Sequence, residues 1–200
     1  MSDAAIFLDK DGTLVENVPH NVEPAGVRLL PGVLDGLRRL QSAGYRLIVV
    51  AHQPGVAFAR LRRPALARIE ERMDRLVAAG GVIITAYAWC PPHPRGAHPW
   101  HAASCECRKP EPGLLLDAAR EHALNLAQSW MIGSILDDIE AGNRVGCRSV
   151  LVDRGGETEW RSGAPRAPHA IVHRFDAAAD VVLRAARPVR SPSWRPVLAT

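Results

Sequence analysis

Asp9 and Asp11 stand two residues apart in Leu8-Asp9-Lys10-Asp11-Gly12-Thr13, directly after the apolar run Ala4–Leu8. Far along the chain, Arg108-Lys109 precedes a proline, and the segment Gly133-Ser134-Ile135-Leu136 leads into the acidic pair Asp137-Asp138. Paired carboxylates, a distant lysine and a further acidic pair are what a divalent cation and a phosphate require. Mg²⁺ takes oxygen ligands and keeps several waters, and a phosphoryl group needs its charge neutralised. A second cluster joins Cys90, Cys105 and Cys107 to His93, His98 and His101. With no leader sequence in view, these thiols read as a metal site, not a secreted disulfide framework. Only two of the 25 basic residues are lysines, Lys10 and Lys109; elsewhere the chain uses arginine.

The elements that must carry these residues follow from apolar patterning. Ala4–Leu8, Tyr45–Val50, Val82–Ala88, Ser129–Ile132 and Ser149–Val152 are short apolar runs of the kind buried strands show, and Ala170–Val172 is a possible last one. Between them, Pro31–Ala43 has apolar residues at Val33, Leu34, Leu37 and Leu40, a helical spacing, with Pro31 at its start and Gly44 past its end. Further helices are expected at Arg63–Ala79, Pro112–Leu124, Leu136–Val145 and Phe175–Ala186, with a Pro-, His- and Cys-rich loop over residues 90–110. Strands alternating with helices predict an α/β fold with a Rossmann-like parallel sheet and helices on both faces. Ligands bind such sheets outside the carboxyl ends of the strands. Asp9 and Asp11, then Ala51-His52-Gln53, Arg108-Lys109 and Ser134 to Asp138 all fall there.

The chain has 200 residues, 47% of them hydrophobic and 23% charged. That suits one globular domain over residues 1–186 and argues against a disordered chain. The last fourteen residues hold Arg187, Arg190 and Arg195 and no acid, and are expected to be a disordered basic tail; the remainder carries 22 basic against 21 acidic residues. So the formal net charge of +4 does not argue for nucleic acid, which would want a basic stripe with interleaved aromatics. No run approaches the ~18 apolar residues of a membrane span, and no signal peptide is visible. A cytoplasmic, monomeric protein is the expectation. Cys147 and Trp130 read as core residues, and Glu157 to Trp160 as a capped turn with an aromatic anchor and no chemistry.

The run FLDKDGTL, HQPGV, CPPHP, CECRKPEPGLL and MIGSILDDIEAG, in that order, resembles the haloacid dehalogenase superfamily. Within it, the run is similar to the D-glycero-D-manno-heptose 1,7-bisphosphate 7-phosphatases and the histidinol-phosphate phosphatases. The resemblance covers roughly residues 4–155, and no insertion between the motifs is long enough for a large cap domain. It implies a phosphomonoester hydrolase with Asp9 as nucleophile, Asp11 as general acid and base, and Lys109 as the group that neutralises the phosphoryl charge. Arg108, Asn17, His20, His52 and Gln53 would line the pocket of a small phosphorylated sugar, and Mg²⁺ would be held by Asp9, Asp11 and the positions of Ser134 and Asp138. A structural Zn²⁺ would be held by Cys90, His93, Cys105 and Cys107, with His98 or His101 as alternatives to His93.

Three positions depart from that pattern. Ala51 stands where the family has a hydroxyl residue, and its loss removes a donor to the phosphoryl group. Ser134 replaces the acid that ligates the metal, with Asp138 or Asp137 as candidates to cover for it. Pro92 occupies the zinc histidine's position, leaving His93 one residue late. Three readings follow: a sugar-phosphate phosphatase, a degenerate relative that binds without efficient turnover, and a histidinol-phosphate phosphatase.

Overall fold

A computed structural model of the chain describes residues 3–18, 23–52, 63–90, 106–157, 160–161 and 163–186. Six strands form one parallel sheet: β1 (Ala5–Leu8), β2 (Arg46–His52), β3 (Ala86–Cys90), β4 (Trp130–Gly133), β5 (Arg148–Val152) and β6 (Ala170–Val172), in the order β3-β2-β1-β4-β5-β6. Helices α1 (Val33–Ser42), α2 (Arg63–Ala78), α3 (Gly113–Glu121), α4 (Leu136–Arg144) and α5 (Phe175–Ala186) lie between or after them. The chain runs outward from β1 to β3, then returns to the other side of β1 with β4. The carboxyl ends of β1 and β4 therefore flank the point where strand order reverses, the usual binding crevice of an open parallel sheet. No large cap domain is present among the described residues.

The sheet's pleat divides the core. Ile6, Leu8, Leu47, Val49, Ile132 and Val150 pack to one side with Leu37 and Leu40 of α1, Met73 of α2 and Val182 of α5. Ala5, Phe7, Ile48, Val50 and Met131 pack to the other with Leu115 of α3 and Ala141 of α4. Both faces of every central strand are buried, which is why these strands read as unbroken apolar runs. Burying a side chain such as Phe7 or Leu8 completely contributes about 1.5–3 kcal/mol.

The predicted elements are present, with shifted ends. The third strand begins four residues later than expected, at Ala86, because Val82 and Ile84 enter the core ahead of the sheet pairing. The helix predicted from Pro112 ends at Glu121; Leu124 follows a turn through Ala123, which has a positive φ. Trp130 and Cys147 are buried as expected, but Trp160 is 56% exposed and anchors nothing by burial. The expected tail, residues 187–200, lies outside the described residues. No helix among the described residues is long and apolar enough to cross a membrane.

Candidate active site

Asp9 follows the last residue of β1, and its N–H donates to the Ile132 carbonyl of β4 at 3.0 Å, so its position is fixed by the sheet. Both carboxylate oxygens have partners: Lys109 Nζ lies 2.8 Å from Oδ1, and Thr13 Oγ1 donates to Oδ2 at 3.2 Å. Thr13 thus serves the Asp9 side chain. The tight turn between them passes through Gly12 at φ 82°, a conformation that side chains resist.

Lys109 joins three elements. Its ammonium donates to Asp9, to the Val50 carbonyl of β2 at 3.1 Å, and meets Asp138 Oδ1 of α4 at 2.5 Å. That uses the three donors of an ammonium. Burial pulls its pKa down, but Asp138 and Asp9 outweigh it and keep the ammonium charged above the usual lysine range. The segment carrying Lys109 is held by local bonds, from Gly113 N–H to the Glu106 carbonyl and from Glu111 N–H to the Arg108 carbonyl, each 2.8 Å. Arg108 is half-buried, and its Nη1 is buried without a hydrogen-bond partner among the described residues.

Asp138 is completely buried. While Oδ1 meets Lys109, Oδ2 accepts the N–H groups of Ser134 at 3.0 Å and Ile135 at 3.2 Å. It sits in the first turn of α4, where an acid satisfies free N–H groups and meets the positive helix end. Gly133 makes room for this fold-back, because a Cβ there would lie 2.2 Å from the Asp138 Cβ. Burial and the charge of Asp9 push the Asp138 carboxyl up to about 6, against the pull of Lys109. Asp138 therefore holds Lys109 and the loop, with both oxygens partnered, where the sequence offered it as a magnesium ligand. Asp137 points elsewhere, pairing with Arg166 from the segment beyond β5. Arg166 also bonds Glu140, and Glu157 accepts the Leu136 N–H at 2.7 Å. Glu157, read from the sequence as inert, caps α4.

Asp11 lies at the mouth of this arrangement. Burial raises its carboxyl pKa above the usual range, partly opposed by Lys10, whose buried ammonium pairs with it. The chain's two lysines thus each pair with one aspartate of the motif. Sequence reasoning noted their rarity but assigned no role to Lys10. Ser134 Oγ, nearly buried, donates to the Asp11 backbone carbonyl at 3.2 Å. Ala51 is buried near the end of β2 and offers no polar group. Asn17 is exposed. His20, Gln53, His93, His98, His101 and Cys105 lie outside the described residues. His52 and Cys90 end β2 and β3 as register partners.

The donors between β1 and β4 that suit Mg²⁺ are the Asp9 carboxylate, the Asp11 carbonyl and the Ser134 hydroxyl. All are oxygens, which a hard cation accepts, with water completing its shell. The residues present fit the ion, with one carboxylate among them. Of the set Cys90, His93, Cys105 and Cys107 expected for Zn²⁺, His93 and Cys105 lie outside the described residues. Among the described residues, no three His, Cys, Asp or Glu side chains converge as a ligand set.

Comparison with known proteins places this geometry. Residues 106–178 match a family model described as "HAD-hyrolase-like". The D-glycero-beta-D-manno-heptose-1,7-bisphosphate 7-phosphatase of Yersinia pestis is 34% identical over 181 residues, covering 90% of this chain and 89% of that protein. Its Escherichia coli K12 counterpart is 35% identical, covering 90% and 87%. The crystal structure of D,D-heptose 1,7-bisphosphate phosphatase from B. bronchiseptica, complexed with magnesium and phosphate, superposes with a TM-score of 0.80 at 30% identity, covering 92% of this chain and 99% of that one.

Proposed function

Because the chain belongs to the haloacid-dehalogenase-like phosphatases, hydrolases of phosphoric monoesters, we propose that it acts on a small phosphorylated sugar of the heptose 1,7-bisphosphate type. The observation that carries the reading is Asp9, held at the strand end by Lys109 and Thr13 beside Asp11 and Ser134. An Asp9 carboxylate oxygen attacks phosphorus, and the bond from phosphorus to the sugar oxygen breaks. Asp11, whose carboxyl burial keeps protonated more readily than usual, gives its proton to the departing oxygen. The resulting carboxylate then takes a proton from water, whose oxygen attacks phosphorus and breaks the bond to Asp9. Lys109 offsets charge on the phosphoryl oxygens throughout. Mg²⁺, bound through Asp9, the Asp11 carbonyl and Ser134, would add charge neutralisation. Arg108, with its unpartnered Nη1, offers donors for a second phosphate or a pair of sugar hydroxyls. The reading is of a cytoplasmic, monomeric enzyme.

A second reading is favoured by Ala51 and Ser134, which leave a phosphoryl group one donor and a cation one carboxylate short. In it the chain binds the sugar phosphate but turns it over slowly. Phosphate release from a panel of sugar bisphosphates and histidinol phosphate, with Mg²⁺ and an Asp9→Asn control, separates the readings. Turnover on a heptose bisphosphate that vanishes in the control supports the first. Preference for histidinol phosphate would move the substrate assignment. Folded protein that matches its control on every substrate would leave only the binding role.

A further inference from the structure

Three carboxylates, Asp9, Asp11 and Asp138, face two ammonium groups, Lys10 and Lys109, around the Asp9 turn. The cluster thus keeps about one unit of negative charge. Its distribution matters more than its sum. Asp138 is wholly buried with both oxygens partnered, so it faces Lys109 and not the crevice. Asp11 turns its carboxylate to Lys10 and its backbone carbonyl to Ser134. Of the three oxygen groups named above as donors for a cation, all among the described residues, the Asp11 carbonyl and the Ser134 hydroxyl are neutral. The third, Asp9, already shares its charge with Lys109.

Mg²⁺ gives up water reluctantly, and oxygen sites gain affinity for hard cations with each charged ligand. Here one shared carboxylate is a weak hold for a divalent ion. A phosphate dianion at Asp9 meets the mirror problem, since it arrives beside a carboxylate, and the ammonium nearest it, Lys109, is already shared with Asp9 and Asp138. We propose that the cation and the phosphate enter this site as a pair, each supplying the charge that the other lacks. This rests on the phosphatase reading and adds a property to it: without substrate the protein is largely free of metal. Coupling between sites is reciprocal, so the cation tightens phosphate by the same factor that phosphate tightens the cation.

Calorimetric titration tests this without turnover. MgCl₂ is titrated into the wild-type chain alone and with saturating inorganic phosphate, with blanks into phosphate buffer, and phosphate is titrated with and without Mg²⁺. The expected result is millimolar-scale binding of Mg²⁺ alone, tightened by roughly ten- to a hundredfold with phosphate, and the same factor in the reverse titration. Ser134→Asp, shown folded by its melting curve, is expected to bind Mg²⁺ alone about tenfold more tightly, with a smaller effect of phosphate. Phosphate that binds equally with and without Mg²⁺ would overturn the pairing while leaving the phosphatase reading intact. Tight binding of Mg²⁺ to the wild-type chain alone would do the same. Phosphate that fails to bind at any Mg²⁺ concentration would overturn both.

Discussion

The two sides of the active site are built on different principles. On the Lys109 side, a carboxylate of β1's end and a carbonyl of β2 accept from one buried ammonium, and a carboxylate of α4 forms an ion pair with it, so its charge is met within the protein. On the Ser134 side, neutral groups meet one another: the Ser134 hydroxyl donates to the Asp11 carbonyl. The first side is a scaffold whose loss costs stability as well as chemistry. The second is a surface whose chemistry depends on what binds there.

Substitutions can sharpen or break that contrast. Asp9→Asn removes the carboxylate proposed as nucleophile and one of the two charges facing the buried Lys109 ammonium; it is expected to lower turnover by about 10³-fold or more and to lower the melting temperature by less than loss of the lysine does, and phosphate release and a melting curve check both. Lys109→Met should fail on both counts, since breaking a buried ion pair by removing one partner destabilises by about 3–5 kcal/mol. At roughly 2–4 °C per kcal/mol for a chain of this size, thermal denaturation should fall by about 6–20 °C. An unchanged melting temperature would erase the distinction between the sides. Ala51→Thr, near the end of β2 on the opposite flank of β1 from Ser134, adds a donor at the phosphoryl position. It is expected to raise kcat/KM by about ten- to a hundredfold without lowering stability, as steady-state kinetics would show.

The smallest effect concerns a thiol far from the chemistry. Burial pushes Cys147 up to about 12, so it stays neutral where an exposed thiol ionises. Labelling of Cys147 by iodoacetamide at pH 8, followed by mass spectrometry, should be slow until denaturant is added. The sign for stability follows: the unfolded thiol releases its proton near pH 9 and the folded one does not. The contribution is nil below that pH and increasingly destabilising from about 9 towards 12.

The positions of Asp9 and of the helix carrying Asp138 were legible because local patterns mark them: an apolar strand ending in an acid, and an acid in a helix's first turn. The start of β3 was not, since Val82 and Ile84 are apolar whether they pair in the sheet or pack beneath it. Trp160 was read as an anchor on aromatic character alone, and only packing decides burial. The zinc expectation rested on cysteine and histidine spacing, and His93 and Cys105 of that set lie outside the described residues.

The sequence by itself determined the parallel α/β architecture and the placement of Asp9, Asp11 and Ser134 just past strand ends, because hydrophobic periodicity and local motifs act over a few residues. Only the tertiary structure decided which charges meet. Lys109 and Asp9 are a hundred residues apart in the chain and become partners because the end of β1, the segment before α3 and the start of α4 converge on one crevice. The same convergence turned Asp138 onto the ammonium, and its complete burial is what ties that carboxylate to an internal partner.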